Sequence, residues 1–206
     1  KTLILQARQR NAAISFKDSL LTSKRLLEIG NQIQGAVPWS ACTRILPILS
    51  EKQLRLLASQ GLQTLELGVE TVEPKLLHLV DKRQNPEFVQ QWLSNISDLS
   101  IHLVLNMMTG FPTETKKLAF DTIELNRQFD SDNQNMATFV PFHGTPLRKL
   151  CEELGLIKPE TITKCLTAES QLNMPQYPPH EIEEIKKLIL ATIPDASIEI
   201  KDLAGD

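Results

Sequence analysis

The chain has 206 residues, 41% of them hydrophobic, enough to bury a core and to exclude a disordered polypeptide. A formal net charge of -3 with scattered Lys and Arg leaves no basic stripe for a phosphate backbone, so nucleic acid is not suggested as a partner. No apolar run approaches the roughly 20 residues of a membrane-spanning helix, and residues 1–20 lack a signal-peptide pattern, which predicts a soluble, cytoplasmic protein.

The chain begins at Lys1 without a methionine and its first residues already read as a helix, so it is taken as a fragment of a longer polypeptide. From there, short apolar runs rich in branched residues alternate with segments of helical period, the mark of βα units and a parallel sheet. Strands are predicted at Ala13 to Phe16, Val37 to Cys42, Thr64 to Val69, Ile101 to Met107 and Met136 to Val140. Each is nearly continuous in apolar character, as strands buried on both faces are. Helical stripes fall between them: Leu26, Ile29 and Ile33, then Phe88, Trp92, Ile96 and Leu99, then Leu118, Thr122, Leu125 and Phe129. Beyond about residue 155 the alternation fades, and Asn173 to Pro179 leads into a helix with Ile182, Ile185 and Ile189 on one side.

Five βα units fall short of the closed eight-fold barrel of about 250 residues. The fold class is therefore α/β: a partial, open TIM-type βα barrel over residues 1–155, with a mostly helical C-terminal extension over 156–206. A doubly wound sheet is the other architecture left. In either, ligands bind at the carboxyl ends of the strands.

Those ends carry polar groups. Asp18 follows the first strand and can hold a ligand ammonium group, or serve as a turn or N-cap residue. Trp39-Ser40-Ala41-Cys42-Thr43-Arg44 closes the second with a guanidinium suited to a carboxylate, or to a surface ion pair. Gly68-Val69-Glu70-Thr71 ends the third, where Glu70 can hold a ribose diol or form a structural salt bridge. The fourth runs into Asn106-Met107-Met108-Thr109-Gly110-Phe111-Pro112-Thr113-Glu114-Thr115, in which Thr113 is a candidate N-cap and Glu114 a complement to the helix dipole. The fifth gives Pro141-Phe142-His143-Gly144-Thr145-Pro146-Leu147, with Thr145 as N-cap, Pro146 at the first helical position and His143 a proton-transfer candidate by type.

This ordered set resembles the radical S-adenosylmethionine (SAM) superfamily, above all its cobalamin-binding, anaerobic-type branch. The motifs Ile14-x-Phe16-x-Asp18 and Trp39-Ser40-x-x-Thr43-Arg44 look like the second and third strands of that family, and the similarity extends from residue 13 to about residue 190. The resemblance implies a six-unit partial barrel in which SAM is cleaved at a [4Fe-4S] cluster to a 5'-deoxyadenosyl radical, with cobalamin a candidate further cofactor. It implies that Asp18 holds the SAM amino group, that Glu70 and Asn106 meet the ribose, and that Lys82, twelve residues after Glu70, reaches the carboxylate. Arg44 matches a recurrent arginine of the third strand, and Pro141 lies where backbone borders the adenine.

The family's C-x-x-x-C-x-x-C loop is absent. Cys42, Cys151 and Cys165, separated by 109 and 14 residues, cannot replace it; nor do they form a disulfide framework or a zinc ribbon. The chain alone is therefore expected to be inactive, its parent supplying the cluster loop and acting on a substrate that the sequence does not name. The competing expectation is a degenerate barrel that binds a ligand or a partner. An aldolase-type barrel is disfavoured because no lysine lies inside a predicted strand. The first strand would be a sheet edge, covered by residues 1–12, paired with a second copy in a homodimer, or left open.

Overall fold

The computed structural model describes residues 2–18, 21–45, 49–82, 85–96, 98–127 and 133–191, apart from the side chains of residues 125, 126, 133 and 189–191. Phe129 and the side chains of Leu125 and Ile189, assigned to helix stripes above, lie outside them, as does the extension beyond residue 191.

In chain order the elements are α1 (Thr2–Gln9), β1 (Ile14–Phe16), α2 (Ser23–Ile33), β2 (Trp39–Arg44), α3 (Glu51–Ser59), β3 (Leu62–Glu70), α4 (Pro74–Leu79), α5 (Pro86–Ser94), β4 (His102–Thr109), α6 (Lys116–Arg127), β5 (Asn133–Thr138), α7 (Pro146–Glu153) and α8 (Pro179–Ala191). The strands form one sheet in the order β1-β2-β3-β4-β5, with β1 and β2, then β2 and β3, paired in parallel. Helices connect successive strands, so the chain is the partial, open TIM-type βα barrel of five parallel strands that the sequence predicts.

The helices start where short polar side chains stop the chain from fraying. Thr22, Ser50, Asn85 and Thr145 each accept a hydrogen bond from the first turn that follows, and Ser50 forms a full capping box with Gln53. Thr22 rather than Asp18 caps α2, which removes the helix-cap reading of Asp18.

The described residues pack as two compact units. The first comprises Lys1–Val69, Gln84–Asn106 and Phe129–Asn133. Its core joins Trp39, Ala41, Leu62, Leu65 and Leu67 of the strands to Leu26, Ile29 and Ile33 of α2 and Leu54 and Leu57 of α3, all buried. Each leucine and isoleucine among them contributes about 1.5–3 kcal/mol of transfer free energy. The strand residues between them differ in kind. Ser15 and Ser40 are in register and bonded hydroxyl to hydroxyl at 2.9 Å, and Lys17 reaches Glu66 at 2.7 Å past the half-buried Cys42. Inward positions of closed barrels are mostly branched and apolar, so this polar face is not packed core.

The second unit comprises Glu70–Arg83, Met107–Gln128 and Gln134–Asp206. Here α6 packs on α8, with Ala119, Thr122 and Ile123 buried on one helix and Ile182 and Ile185 on the other. Phe111 and Phe139 pack with ring centres 5.4 Å apart and planes inclined by 39°.

Strand boundaries shift from the predicted ones for local reasons. Pro38 has no N–H for the ladder, so β2 begins at Trp39, which bonds to the Gly61 carbonyl, and it continues through Thr43 and Arg44. β3 extends at both ends of the predicted run. β5 lies earlier than predicted, at Asn133–Thr138, because Phe139 and Val140 are buried in the loop that follows instead of in the strand.

Candidate functional site

Three strand-end loops of the second unit are built in different ways. At the end of β3, Glu70 has φ of +66°, a left-handed conformation that costs a residue with a Cβ about 1–2 kcal/mol. Its side chain is 22% exposed and accepts a bond through Oε1 from the Lys82 ammonium, 9% exposed, at 2.9 Å. Lys82 is therefore a nearly buried partner of Glu70 and not an exposed helix-end lysine. The next residue, Thr71, is buried and meets the Thr122 hydroxyl of α6 at 3.2 Å, which ties this loop to a helix. Strain of this kind persists only where the surroundings over-determine it, and it clusters at ligand sites.

At the end of β4, Gly110 turns the chain with φ of +84°, and Ile182 lies 3.2 Å from where a Cβ would stand. Two expectations for this loop are corrected. Thr113 has φ of +74° and does not cap α6; Thr115 does, accepting from the Leu118 amide at 3.4 Å. Glu114 does not lie along the helix end as a solvated complement to the dipole. Its carboxylate turns back into the core, where Oε2 accepts from the Gly110 and Phe111 amides and the Thr109 hydroxyl, while Oε1 is buried with no partner among the described residues. Burial raises this carboxyl to about 7, against the opposing pull of the two amides and the hydroxyl. Thr109 is shared with the buried Tyr177 hydroxyl at 2.9 Å, and burial pushes that phenol well above its usual range.

At the end of β5, Pro141 is buried and its carbonyl accepts two bonds, from Arg148 Nη1 at 3.1 Å and from the Thr163 hydroxyl at 3.2 Å. Arg148 is itself buried in α7. Its remaining donors reach Glu152 at 2.8 Å and the Pro159 and Thr161 carbonyls at 2.9 Å each. Thr145 caps α7 with Pro146 in the first turn, as predicted. His143 is exposed and lines a cavity of about 580 Å³ together with Thr145, Lys149 and Glu152. None of the six predicted site residues lines that cavity.

In the first unit, Asp18 and Arg44 are exposed at the ends of β1 and β2, and Asn106 is half-buried in β4. Cys42 lies half-buried in β2; in the second unit Cys151 is buried in α7, its thiol pushed up to about 11 by desolvation, and Cys165 is exposed. No group of three His, Cys, Asp or Glu able to hold a metal occurs among the described residues. The cysteines therefore do not fit an iron–sulfur cluster, which needs converging thiolates.

No family model matches the chain. It is 22% identical over 92% of its length to an uncharacterized methyltransferase of Pyrococcus horikoshii, and 29% identical over 58% to the anaerobic magnesium-protoporphyrin IX monomethyl ester cyclase of Rubrivivax gelatinosus. The chain spans 42% and 21% of the length of those two relatives. Among solved structures, coproporphyrinogen III oxidase (HemN) of Escherichia coli, a radical SAM enzyme, matches 92% of the chain with a TM-score of 0.65 at 13% identity, the chain covering 43% of it. This is the radical SAM core fold. The radical SAM methyltransferase TsrM of Kitasatospora setae, whose structure holds cobalamin and a [4Fe-4S] cluster, shares it over 73% of the chain and 30% of its own length, with a TM-score of 0.60 at 16% identity. Within the radical SAM fold, the resemblance drawn from the strand-end motifs is thus met by the architecture. No helix among the described residues is long and apolar enough to cross a membrane.

Glu114, Tyr177 and Arg148 were missed as key residues by sequence reading. Glu114 stood in a recognised motif but was assigned to the helix end. An arginine three residues past an N-cap threonine is ordinary on a helix, and nothing in the sequence marks it as buried.

Proposed function

We propose that this chain supplies the SAM-binding part of a radical SAM enzyme, with the cluster thiolates coming from outside these residues. The observation that carries the reading is Glu70: a carboxylate at the carboxyl end of a barrel strand, held in a strained conformation and anchored by Lys82 through one oxygen. Oε2 is left for a vicinal diol, and a carboxylate accepts from two hydroxyls at once.

The remaining roles follow the resemblance. Asp18 takes the amino group of SAM, Lys82 its carboxylate, Asn106 the ribose and Pro141 the adenine, while Arg44 stands at the place of a recurrent arginine of the third strand. The methyltransferase relative and the radical SAM fold support this reading. No step of cluster chemistry is assigned to this chain, because its three cysteines do not fit the cluster, and no residue is assigned to cobalamin.

A second reading, a non-catalytic barrel that binds a ligand or partner, is favoured by the same scattering of thiols. Anaerobic reconstitution with iron and sulfide of the polypeptide as it is made in the cell, followed by an assay for 5'-deoxyadenosine, separates the two. Product release supports the enzyme; SAM binding without product at full cluster occupancy supports the binding module.

A further inference from the structure

The Pro141 carbonyl is fully engaged. A carbonyl oxygen has two lone pairs, and here one takes Arg148 Nη1 and the other the Thr163 hydroxyl, at 3.1 and 3.2 Å. Proline contributes no N–H. What little surface the buried Pro141 leaves to a ligand is therefore apolar ring and Cα, which suits the flat face of a purine and not its polar edge.

The group responsible is a buried cation with no loose donor geometry. Arg148 places Nε on Glu152, Nη1 on Pro141 and Thr163, and Nη2 on Pro159 and Thr161. A guanidinium is rigid and planar, so one side chain fixes the loop after β5 and the segment 159–163 relative to each other. A lysine, a point charge on a flexible stem, cannot hold both at once.

We propose that Arg148 is a positioning residue of the nucleoside pocket: through Pro141 and Thr163 it sets the apolar border against which adenine lies, and it makes segment 159–163 part of that pocket. The assignment rests on the SAM-binding reading of Pro141. Nothing in the radical SAM resemblance assigned Arg148 or Thr163 a role.

The test compares the wild-type chain with R148K, T163V and T163S, using S-adenosylhomocysteine as the probe in calorimetric titration and thermal melting as the check on folding. T163V removes the bond to Pro141 and the longer one that Thr163 accepts from Arg148 Nη1, and leaves the guanidinium's bonds to Pro141, Pro159, Thr161 and Glu152. It is expected to weaken binding about 3- to 10-fold, the value of the lost hydrogen bond to Pro141, with a melting temperature within about 3 °C of wild type. T163S restores the hydroxyl and the affinity, and R148K weakens binding more than T163V does. Amide exchange of the wild-type chain supplies a reading that needs no variant: the probe protects the Phe142–Thr145 and Thr161–Thr163 amides together.

If wild type binds and folded R148K and T163V bind equally well, or if the probe protects the first segment and not the second, the assignment is overturned while the SAM-binding reading stands. A folded wild-type chain that binds no probe overturns that reading, and the assignment with it.

Discussion

The hydroxyls of Tyr177 and Thr109 stand 2.9 Å apart, both buried, and join the stretch that leads into α8 to the last residue of β4. Through Thr109 the contact continues to Glu114 and so to the Gly110–Phe111 turn. Gln176 adds a bond to the Glu114 carbonyl at 3.2 Å. The extension therefore helps to shape a strand-end loop of the barrel.

Tyr177→Phe tests that connection. It removes one buried hydroxyl and leaves Thr109 bonded to Glu114, so it should cost about 1 kcal/mol in denaturant unfolding. Thr109→Val should cost more, about 1–3 kcal/mol, because it strips both the tyrosine and the carboxylate of a partner in a dry site.

Glu114 should impose a pH dependence on stability. Its folded-state value is raised from 4.5 to about 7, so between those values the folded chain binds more protons than the unfolded one. Its contribution is fully present below pH 4.5, is lost as pH rises toward 7 and stays lost above. The loss is on the order of 3 kcal/mol. Glu114→Gln keeps an acceptor for the turn and cannot ionise, so its denaturant midpoint should fall less than that of wild type between pH 5 and pH 8. Equal slopes would show that Glu114 ionises freely in the fold.

Glu70→Gly separates strain from function. Glycine adopts φ of +66° without Cβ strain, a gain of about 1 kcal/mol that offsets only part of the cost of leaving the nearly buried Lys82 ammonium without its carboxylate. Stability should therefore fall by about 1–2 kcal/mol, less than a strain-free carboxylate deletion would cost, while binding of an S-adenosyl ligand is lost. Lys82→Met, by contrast, leaves Glu70 in its strained conformation without its ion pair and should lower stability by about 1–3 kcal/mol.

Arg148→Met should be the most damaging single change among these. It leaves the Pro141, Pro159 and Thr161 carbonyls and Glu152 without their buried donor, a cost of about 3–5 kcal/mol in denaturant unfolding.

Much of the architecture was readable because it rests on local rules. The apolar runs gave all five strands, the 3.6-residue stripes put Leu26, Ile29 and Ile33 in the core, and Thr145-Pro146 gave the start of α7. The side-chain networks were not readable, since they depend on partners distant in sequence. Lys82 and Glu70 could be chosen by type, but their ion pair follows from a turn that brings residues 12 apart together. Tyr177 and Thr109 are 68 residues apart, and the fold makes them neighbours where α8 packs on α6. The β5 boundary was misplaced for a related reason: apolar Phe139 and Val140 suit a buried loop as well as a strand.

On the proposed reading, the strand-end carboxylate Glu70 takes the ribose of an S-adenosyl ligand. Equilibrium titration of the wild-type chain and E70Q with S-adenosylhomocysteine tests it most directly. Saturable binding of one ligand per wild-type chain, weakened about tenfold or more in a folded E70Q, is the predicted result. No saturable binding to folded wild-type protein, or the same affinity in E70Q, would contradict it.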